Sequence, residues 1–339
     1  SSLGLSEHTA AGVCSAWSRA YSRQLRRCRY VNPRSERQLA DAPTRPNGLC
    51  MLPGGVLAIS SCDVTHDSLS SVKFVAARND TDLQALAACQ ASSLAARRFG
   101  WLMGLARTND GLLVNNCQPN PTDPSATLHK FAKDGSMDEL ATVPVLTDYE
   151  RGLMQIAVHQ QTQRTYGIVG EPWRNAVVLL DADLQIITTV EAVEAEQYWE
   201  DMPISGVAVH GDQVIVLTSQ SHPEGSGLRL LDLDGRFLRT IADDQFQNAQ
   251  AVAASHGRVF VIDHGVVVDD DVDDDDDEPR GMVLHVVDIR SGDILQTVPL
   301  AELPGGDCTI TILLDGDDIY ITDFGTSTVV VLRIAGSEA

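Results

Sequence analysis

Residues 204–220 read ISGVAVHGDQVIVLTSQ, and residues 227–243 read GLRLLDLDGRFLRTIAD. Val207 and Val209 alternate with small or polar neighbours, as in a strand with two unlike faces. His210-Gly211-Asp212 turns that strand into a second, and Asp234-Gly235, a tight-hairpin pair, turns a third into a fourth. The stretch is therefore four short antiparallel strands joined by polar turns.

The same unit recurs along the chain. Residues 48–90 begin GLCMLPGGVLAISSC, 103–145 begin MGLARTNDGLLVNNC, 153–193 begin LMQIAVHQQTQRTYGIVG and 248–300 begin NAQAVAASHGRVFVIDHG. The last copy, 308–334, reads CTITILLDGDDIYITDFGTSTVVVLRI and stops after its third strand. Four strands per copy, at a period of roughly 40–60 residues, describe the blades of a β-propeller. The expected fold is thus all-β, a six-bladed propeller over 23–335, with seven blades as the alternative. The strand missing from the last copy has a donor upstream, Gln24 to Val31, and pairing it there would close the ring and remove two open edges.

Two resemblances attach to these residues. Pro46-Asn47-Gly48-Leu49 with Leu52-Pro53-Gly54-Gly55-Val56-Leu57-Ala58-Ile59, and Ile319-Tyr320-Ile321-Thr322-Asp323 with Thr328-Val329-Val330-Val331-Leu332, resemble NHL-type repeats. That resemblance implies a propeller and little about activity, because such rings host protein binding, RNA binding and several enzymes. Residues 1–22 differ from the rest. Ala10, Val13, Ala16, Trp17 and Tyr21 have helical spacing behind Ser6. Val13-Cys14-Ser15-Ala16-Trp17 resembles the closing helix of an F-box, which implies a link to a ubiquitin-ligase assembly. A plain amphipathic helix packed on the propeller is the other reading. The chain opens on Ser1 rather than Met, which suggests processing or a fragment.

Composition sets the outer bounds. The 339 residues include 25 basic and 47 acidic ones, a net charge of −22, with 43% hydrophobic residues. That apolar share suits a globular chain. The acidity disfavours nucleic acid, whose phosphates want clustered Lys and Arg. No run approaches the ~18 apolar residues of a membrane span. Seven cysteines, six of them in the first 120 residues and none as Cys-x-x-Cys, read as reduced thiols of an intracellular, cytoplasmic or nuclear, protein. Cys50 and Cys62 are the one pair that a short hairpin could join. Residues 269–278, DDDVDDDDDE, place nine carboxylates in ten positions. No core absorbs that density, so a solvated loop is expected. Docking of a basic partner is the functional alternative. A calcium loop is disfavoured because the run lacks the glycine such loops need.

Candidate sites follow from the propeller register. The inner-strand starts, at the channel mouth, are Asn47, Met103, Met154, Ser205, Ala249 and Cys308, with Glu150, Asp201 and Asp307 nearby. This is a poor set for a metal, so no metal and no cofactor is expected. Among the second-strand ends, only Asp263-His264 joins an acid to an imidazole. Neighbours on a strand point to opposite faces, which argues against their cooperation. Aromatic residues in expected loops are Phe99, Trp101, Tyr149, Trp173, Tyr198, Trp199, Phe246 and Phe324, with Arg98, Arg151 and Arg174 beside three of them. Trp101, Arg151, Trp173, Arg174, Trp199 and Phe324 together would make a recognition rim, since interface hot spots favour Trp, Tyr and Arg. Two functions remain open. One is a monomeric, non-catalytic protein-binding propeller. The other is a lactonase- or esterase-like hydrolase with a divalent ion in the channel.

Overall fold

The computed structural model describes residues 30–39, 42–43, 45–61, 70–97, 99–118, 127–132, 136–144, 153–171, 174–191, 204–218, 226–264, 281–304 and 311–335. The helical segment expected over 1–22 and the acidic run 269–278 lie outside them.

Strand β1 (Tyr30–Gln38) comes first. Blade 1 holds β2 (Pro46–Leu52), β3 (Val56–Ser61) and β4 (Ser71–Ala76), followed by helices α1 (Leu83–Gln90) and α2 (Ser93–Ala96). Blade 2 is β5 (Trp101–Arg107), β6 (Gly111–Gln118), β7 (Thr127–Ala132) and β8 (Glu139–Pro144). Blade 3 is β9 (Leu153–Val158), β10 (Thr165–Glu171), β11 (Arg174–Leu180) and β12 (Ile186–Glu191). Blade 4 is β13 (Ile204–His210), β14 (Gln213–Thr218), β15 (Ser226–Asp232) and β16 (Phe237–Phe246). Blade 5 is β17 (Ala249–Ser255), β18 (Arg258–His264), β19 (Gly281–Asp288) and β20 (Ile294–Pro304). Blade 6 is β21 (Ile312–Asp315), β22 (Asp318–Asp323) and β23 (Thr328–Ala335).

Each blade is an antiparallel sheet in chain order, and the six first strands, β2, β5, β9, β13, β17 and β21, contact one another in a closed circle. The chain is a six-bladed propeller. Buried apolar residues fill the seams between blades. Ile215, Leu217 and Leu228 of blade 4, for instance, share a cluster with Val252, Val259 and Val261 of blade 5. Sheets that bury both faces need near-continuous apolar strands, which explains why β14 and β22 are buried almost throughout.

Two segments differ from the sequence reading. Residues 83–90, LQALAACQ, form α1 rather than the fourth strand of blade 1. Ala, Leu and Gln are strong helix formers, and the Asp82 carboxylate caps the start by accepting from the amides of Gln84 and Ala85. Blade 1 therefore keeps three strands among the described residues. The second difference concerns closure. The strand completing blade 6 is β1, which overlaps the expected 24–31 segment only at Tyr30 and Val31. It pairs antiparallel with β23, from Tyr30↔Ala335 to Gln38↔Val330. Pro33 falls where the register shifts between Asn32 and Arg37, and on an outer edge such a break is tolerated. Gln296 of blade 5 clamps β1 through Val31, accepting from its amide at 2.7 Å and donating to its carbonyl at 3.1 Å.

The hairpins joining strands one to two and three to four lie at the base of the ring. An Asp ends or directly follows the third strand in three blades and accepts two turn amides on its Oδ1. Asp181 accepts from Asp183 and Gln185, Asp232 from Asp234 and Arg236, and Asp288 from Arg290 and Ser291. The other strand ends lie at the opposite end, the channel mouth.

Because β1 supplies both an edge and the final seam, removing residues 30–38 exposes β23 along its length. The expected outcome is failure to fold or a thermal midpoint lowered by roughly 10 °C or more. A truncated chain melting with the parent would refute closure by β1.

Candidate functional site

The six first strands enclose a central cavity of about 500 Å³. Its wall is made of short consecutive stretches of inner strand, among them Gly48–Met51, Gly104–Arg107 and Ala251–Ala254. Small residues are required here. A Cβ on Gly48 would stand 2.8 Å from the Met103 carbonyl oxygen, and one on Gly206 would stand 2.8 Å from a Val252 methyl.

At the mouth, the inner strands of blades 1 to 5 share an irregularity. Register shifts occur between Pro46 and Leu49, between Leu102 and Leu105, opposite Gly167–Val169, between Ile204 and Gly206, and between Ala249 and Ala251. Bulges of this kind break the ladder locally and re-aim side chains. They fall on Asn47, Met103, Met154, Ser205 and Gln250, the last one residue beyond Ala249. Cys308, Glu150, Asp201 and Asp307 lie outside the described residues.

Asn47 and Ser205 of this ring, with Asn115 and Thr322 beside it, hold backbone carbonyls. The Asn47 amide donates to the Leu102 carbonyl of blade 2 at 3.1 Å and touches the Met103 sulfur at 3.0 Å. Asn115 of blade 2 donates to the Leu153 carbonyl of blade 3. Ser205 of blade 4 donates to Ala249 of blade 5 at 2.8 Å, and Thr322 of blade 6 to Asn47 of blade 1 at 3.2 Å. In each case a side chain of one blade holds a carbonyl at the start of the next. The Oδ1 atoms of Asn47 and Asn115 are left buried without a partner.

Asp263 meets an imidazole, that of His285. His264 ends β18 opposite Met282, with only its backbone described. The neighbour of Asp263 is His285 on β19, with Nε2 3.4 Å from Oδ2. The Asp263 carboxylate also accepts the amides of Gln247 at 3.0 Å and Asn248 at 2.7 Å. Burial pushes its pKa up, but the bonds from His285 and the two amides outweigh this and hold it below the usual carboxylate range. Asp263 thus anchors the chain entering blade 5.

Blade 2, opposite blade 5 across the ring, repeats this arrangement. His129 lies across from Thr142 on β8, as His285 lies across from Thr297 on β20. Phe99 packs on His129 at 5.4 Å between ring centres, and Phe246 on His285 at 5.6 Å. Both Phe residues, expected in loops, are buried. In blade 2 the network grows. His129 Nε2 lies 2.8 Å from the Thr127 hydroxyl and its Nδ1 2.7 Å from Glu139, which also pairs with Arg97 at 2.7 Å. Arg97 in turn covers the Phe99 and Phe131 rings. No sequence motif marks this network, because its members sit on α2's flank, β7 and β8.

Of the expected rim set, Phe324 is described. It follows β22 at the mouth, half-buried, with the Arg45 guanidinium 5.5 Å from its ring centre. Arg45 is tied by its amide to the Ser327 hydroxyl at 3.0 Å. Trp101 opens β5 and Arg174 opens β11, with backbone alone described. Arg151, Trp173 and Trp199 lie outside the described residues, as do Tyr149, Tyr198 and Arg98. Cys50 is a free buried thiol rather than half of a pair with Cys62, and burial pushes it up to about 12. Among the described residues no three His, Cys, Asp or Glu side chains cluster as metal ligands, and no helix is long and apolar enough to cross a membrane.

No family model and no curated protein matches the sequence. Solved propellers resemble the fold. The PQQ-bound aldose sugar dehydrogenase of Streptomyces coelicolor superposes with a TM-score of 0.50 at 13% identity, over 88% of this chain and 98% of that one. A chain of a nidogen/laminin complex gives 0.48 at 10% identity over 76% and 81%, and the Dos1 propeller 0.48 at 10% over 88% and 74%. At such identities the likeness is one of fold.

Glu139 gives the site a pH signature. Burial raises its pKa, but hydrogen bonds from Arg97, Thr142 and His129 and the Arg97 charge bring it to about 2, from an ordinary 4.5. A lowered carboxylate stabilises the fold fully above pH 4.5, and that contribution fades as pH falls towards 2. Glu139→Gln is expected to destabilise the protein at pH 7 by about 1 kcal/mol and to flatten the acid limb in that window. An unchanged pH–stability curve would show that the pair contributes nothing.

Proposed function

We propose that this propeller is a non-catalytic protein-binding scaffold whose docking face is the rim around the channel mouth. The observation carrying this reading is the use of the mouth's polar side chains. Asn47, Asn115, Ser205, Thr322 and Asp263 all hold backbone groups of the ring itself. Recruiting any of them to a substrate would release the carbonyl or amide it holds. The Phe324 side chain carries no such duty. Phe324 with Arg45 offers an aromatic–guanidinium pair of the type that anchors interfaces. Trp101, Arg151, Trp173, Arg174 and Trp199 belong by chain position to the same end of the blades. The partner is a protein rather than nucleic acid, because the chain carries −22. In its fuller form the reading makes the propeller the recognition part of a ubiquitin-ligase adaptor, joined through residues 13–17 on the strength of their F-box resemblance.

The test is affinity capture from cells with quantified partners, comparing the parent chain with Phe324→Ala and Trp173→Ala. A hot spot costs ~2 kcal/mol, about thirtyfold in affinity, while the thermal midpoint stays near the parent's. Deleting residues 1–22 is expected to remove ligase components and spare the rim partner. A purified protein holding one divalent ion per chain, with lactone or ester hydrolysis lost on chelation, would overturn the reading in favour of a channel hydrolase.

A further inference from the structure

The seam where blade 6 meets blade 1 holds a cavity of about 300 Å³ on the outer flank of the ring. Three elements wall it: β1 with the residue that follows it, the end of β4, and α1. One side is apolar. Leu39 and Val75 are buried there and share a core cluster, and Leu86 of α1 is half-buried. Gln90 lies four residues beyond Leu86, on the same face of the helix, and with Asn79 brings a carboxamide to the same space. The volume is at the low end for ligand sites, roughly 300–1,000 Å³.

The charge of this cavity runs against that of the chain. Acidic residues outnumber basic ones 47 to 25 overall, yet the described lining includes Arg37 and Arg78 and no Asp or Glu. The two guanidiniums differ in what they hold. Arg78 pairs with Asp315 and Asp318 of blade 6, and Arg333 also pairs with Asp318, so both carboxylates are taken up. Arg37, exposed on β1, donates to the Ala77 carbonyl at 3.2 Å and has no carboxylate at ion-pair distance among the described residues. A guanidinium cannot shed its proton to relieve this, and it has five N–H donors to place. Lys73 is exposed two residues before Val75, on the same face of β4, and adds positive charge to the approach.

We propose that this cavity binds a small organic acid, its carboxylate on Arg37 and its short hydrocarbon body against Leu39, Val75 and Leu86. The planar guanidinium fork matches a carboxylate with two parallel N–H bonds, which supplies orientation as well as attraction. The apolar side selects a ligand with a carbon body over a bare anion. The site lies on the flank of the ring and does not rest on the rim reading.

An NMR titration of the full isotope-labelled chain with pentanoate at neutral pH tests the proposal, with pentanol and inorganic phosphate as comparators. Pentanoate is expected to shift the Ala76, Ala77 and Leu86 amides saturably. Pentanol lacks the charge and phosphate lacks the carbon body, so each is expected to bind about tenfold more weakly or worse. Arg37→Gln should weaken pentanoate by a similar factor, and Arg37→Lys, which keeps the charge without the fork, should recover part of the loss. Leu86→Trp, on α1 and outside the closing strand, is expected to fill the space and block binding, which guards against a folding defect in the β1 variants. The proposal is overturned if pentanoate gives no saturable shift at these amides, or if pentanol or phosphate binds as well. Binding that ignores both Arg37→Gln and Leu86→Trp would also overturn it.

Discussion

The ring depends on carbonyls that its own bulges set free. Where the inner strands of blades 1 to 5 begin, the ladder is broken, and backbone groups that would have paired within the blade are left over. A buried acceptor without a donor costs about 1–3 kcal/mol. The structure meets this cost across the seams. Asn47 holds Leu102, Asn115 holds Leu153, Ser205 holds Ala249 and Thr322 holds Asn47. Each bond satisfies one blade with a side chain from another, so no blade completes its hydrogen bonding alone. The apolar clusters that fill the seams act in the same direction, because their members also come from adjacent blades.

That arrangement explains what the channel mouth can do. Asn47, Asn115, Ser205 and Thr322 commit their donors there to the backbone of the next blade. Asp263 is committed likewise, to two amides and to His285. The side chains with freedom to meet another molecule lie further out. One group is on the rim, where Arg45 stacks on Phe324. The other is on the flank of blade 1, where Arg37 lines a cavity of about 300 Å³ beside Leu86 and Gln90 of α1.

The fold was readable because each blade needs the same thing: two short hairpins with apolar strands between polar turns. His210-Gly211-Asp212 and Asp234-Gly235 announce those hairpins directly. Local signals misled where edge strands and helices escape that pattern. Residues 83–90 look apolar enough for a strand, but Ala-rich sequence behind an Asp cap is cheaper as a helix. Tyr30–Gln38 looks too polar and carries Pro33, yet an outer edge strand needs little more than one apolar contact, here Val31. The site was less readable. Pairing of His285 with Asp263, and of His129 with Glu139, is set by cross-strand register, and register is not written in the spacing of either residue. The bulges that make Asn47 and Ser205 structural are equally silent in sequence.

If the seams carry the stability, the ring unfolds as one body. Native-state hydrogen exchange on the second-strand amides of Val114, Ile168, Val216, Val261 and Ile321, each on a strand paired on both sides, measures this directly. The account predicts opening free energies equal to one another, and to the global unfolding value, within ~1 kcal/mol. Blades that open one at a time, with values spread over several kcal/mol, would show that each sheet stands alone and that the seam bonds are incidental.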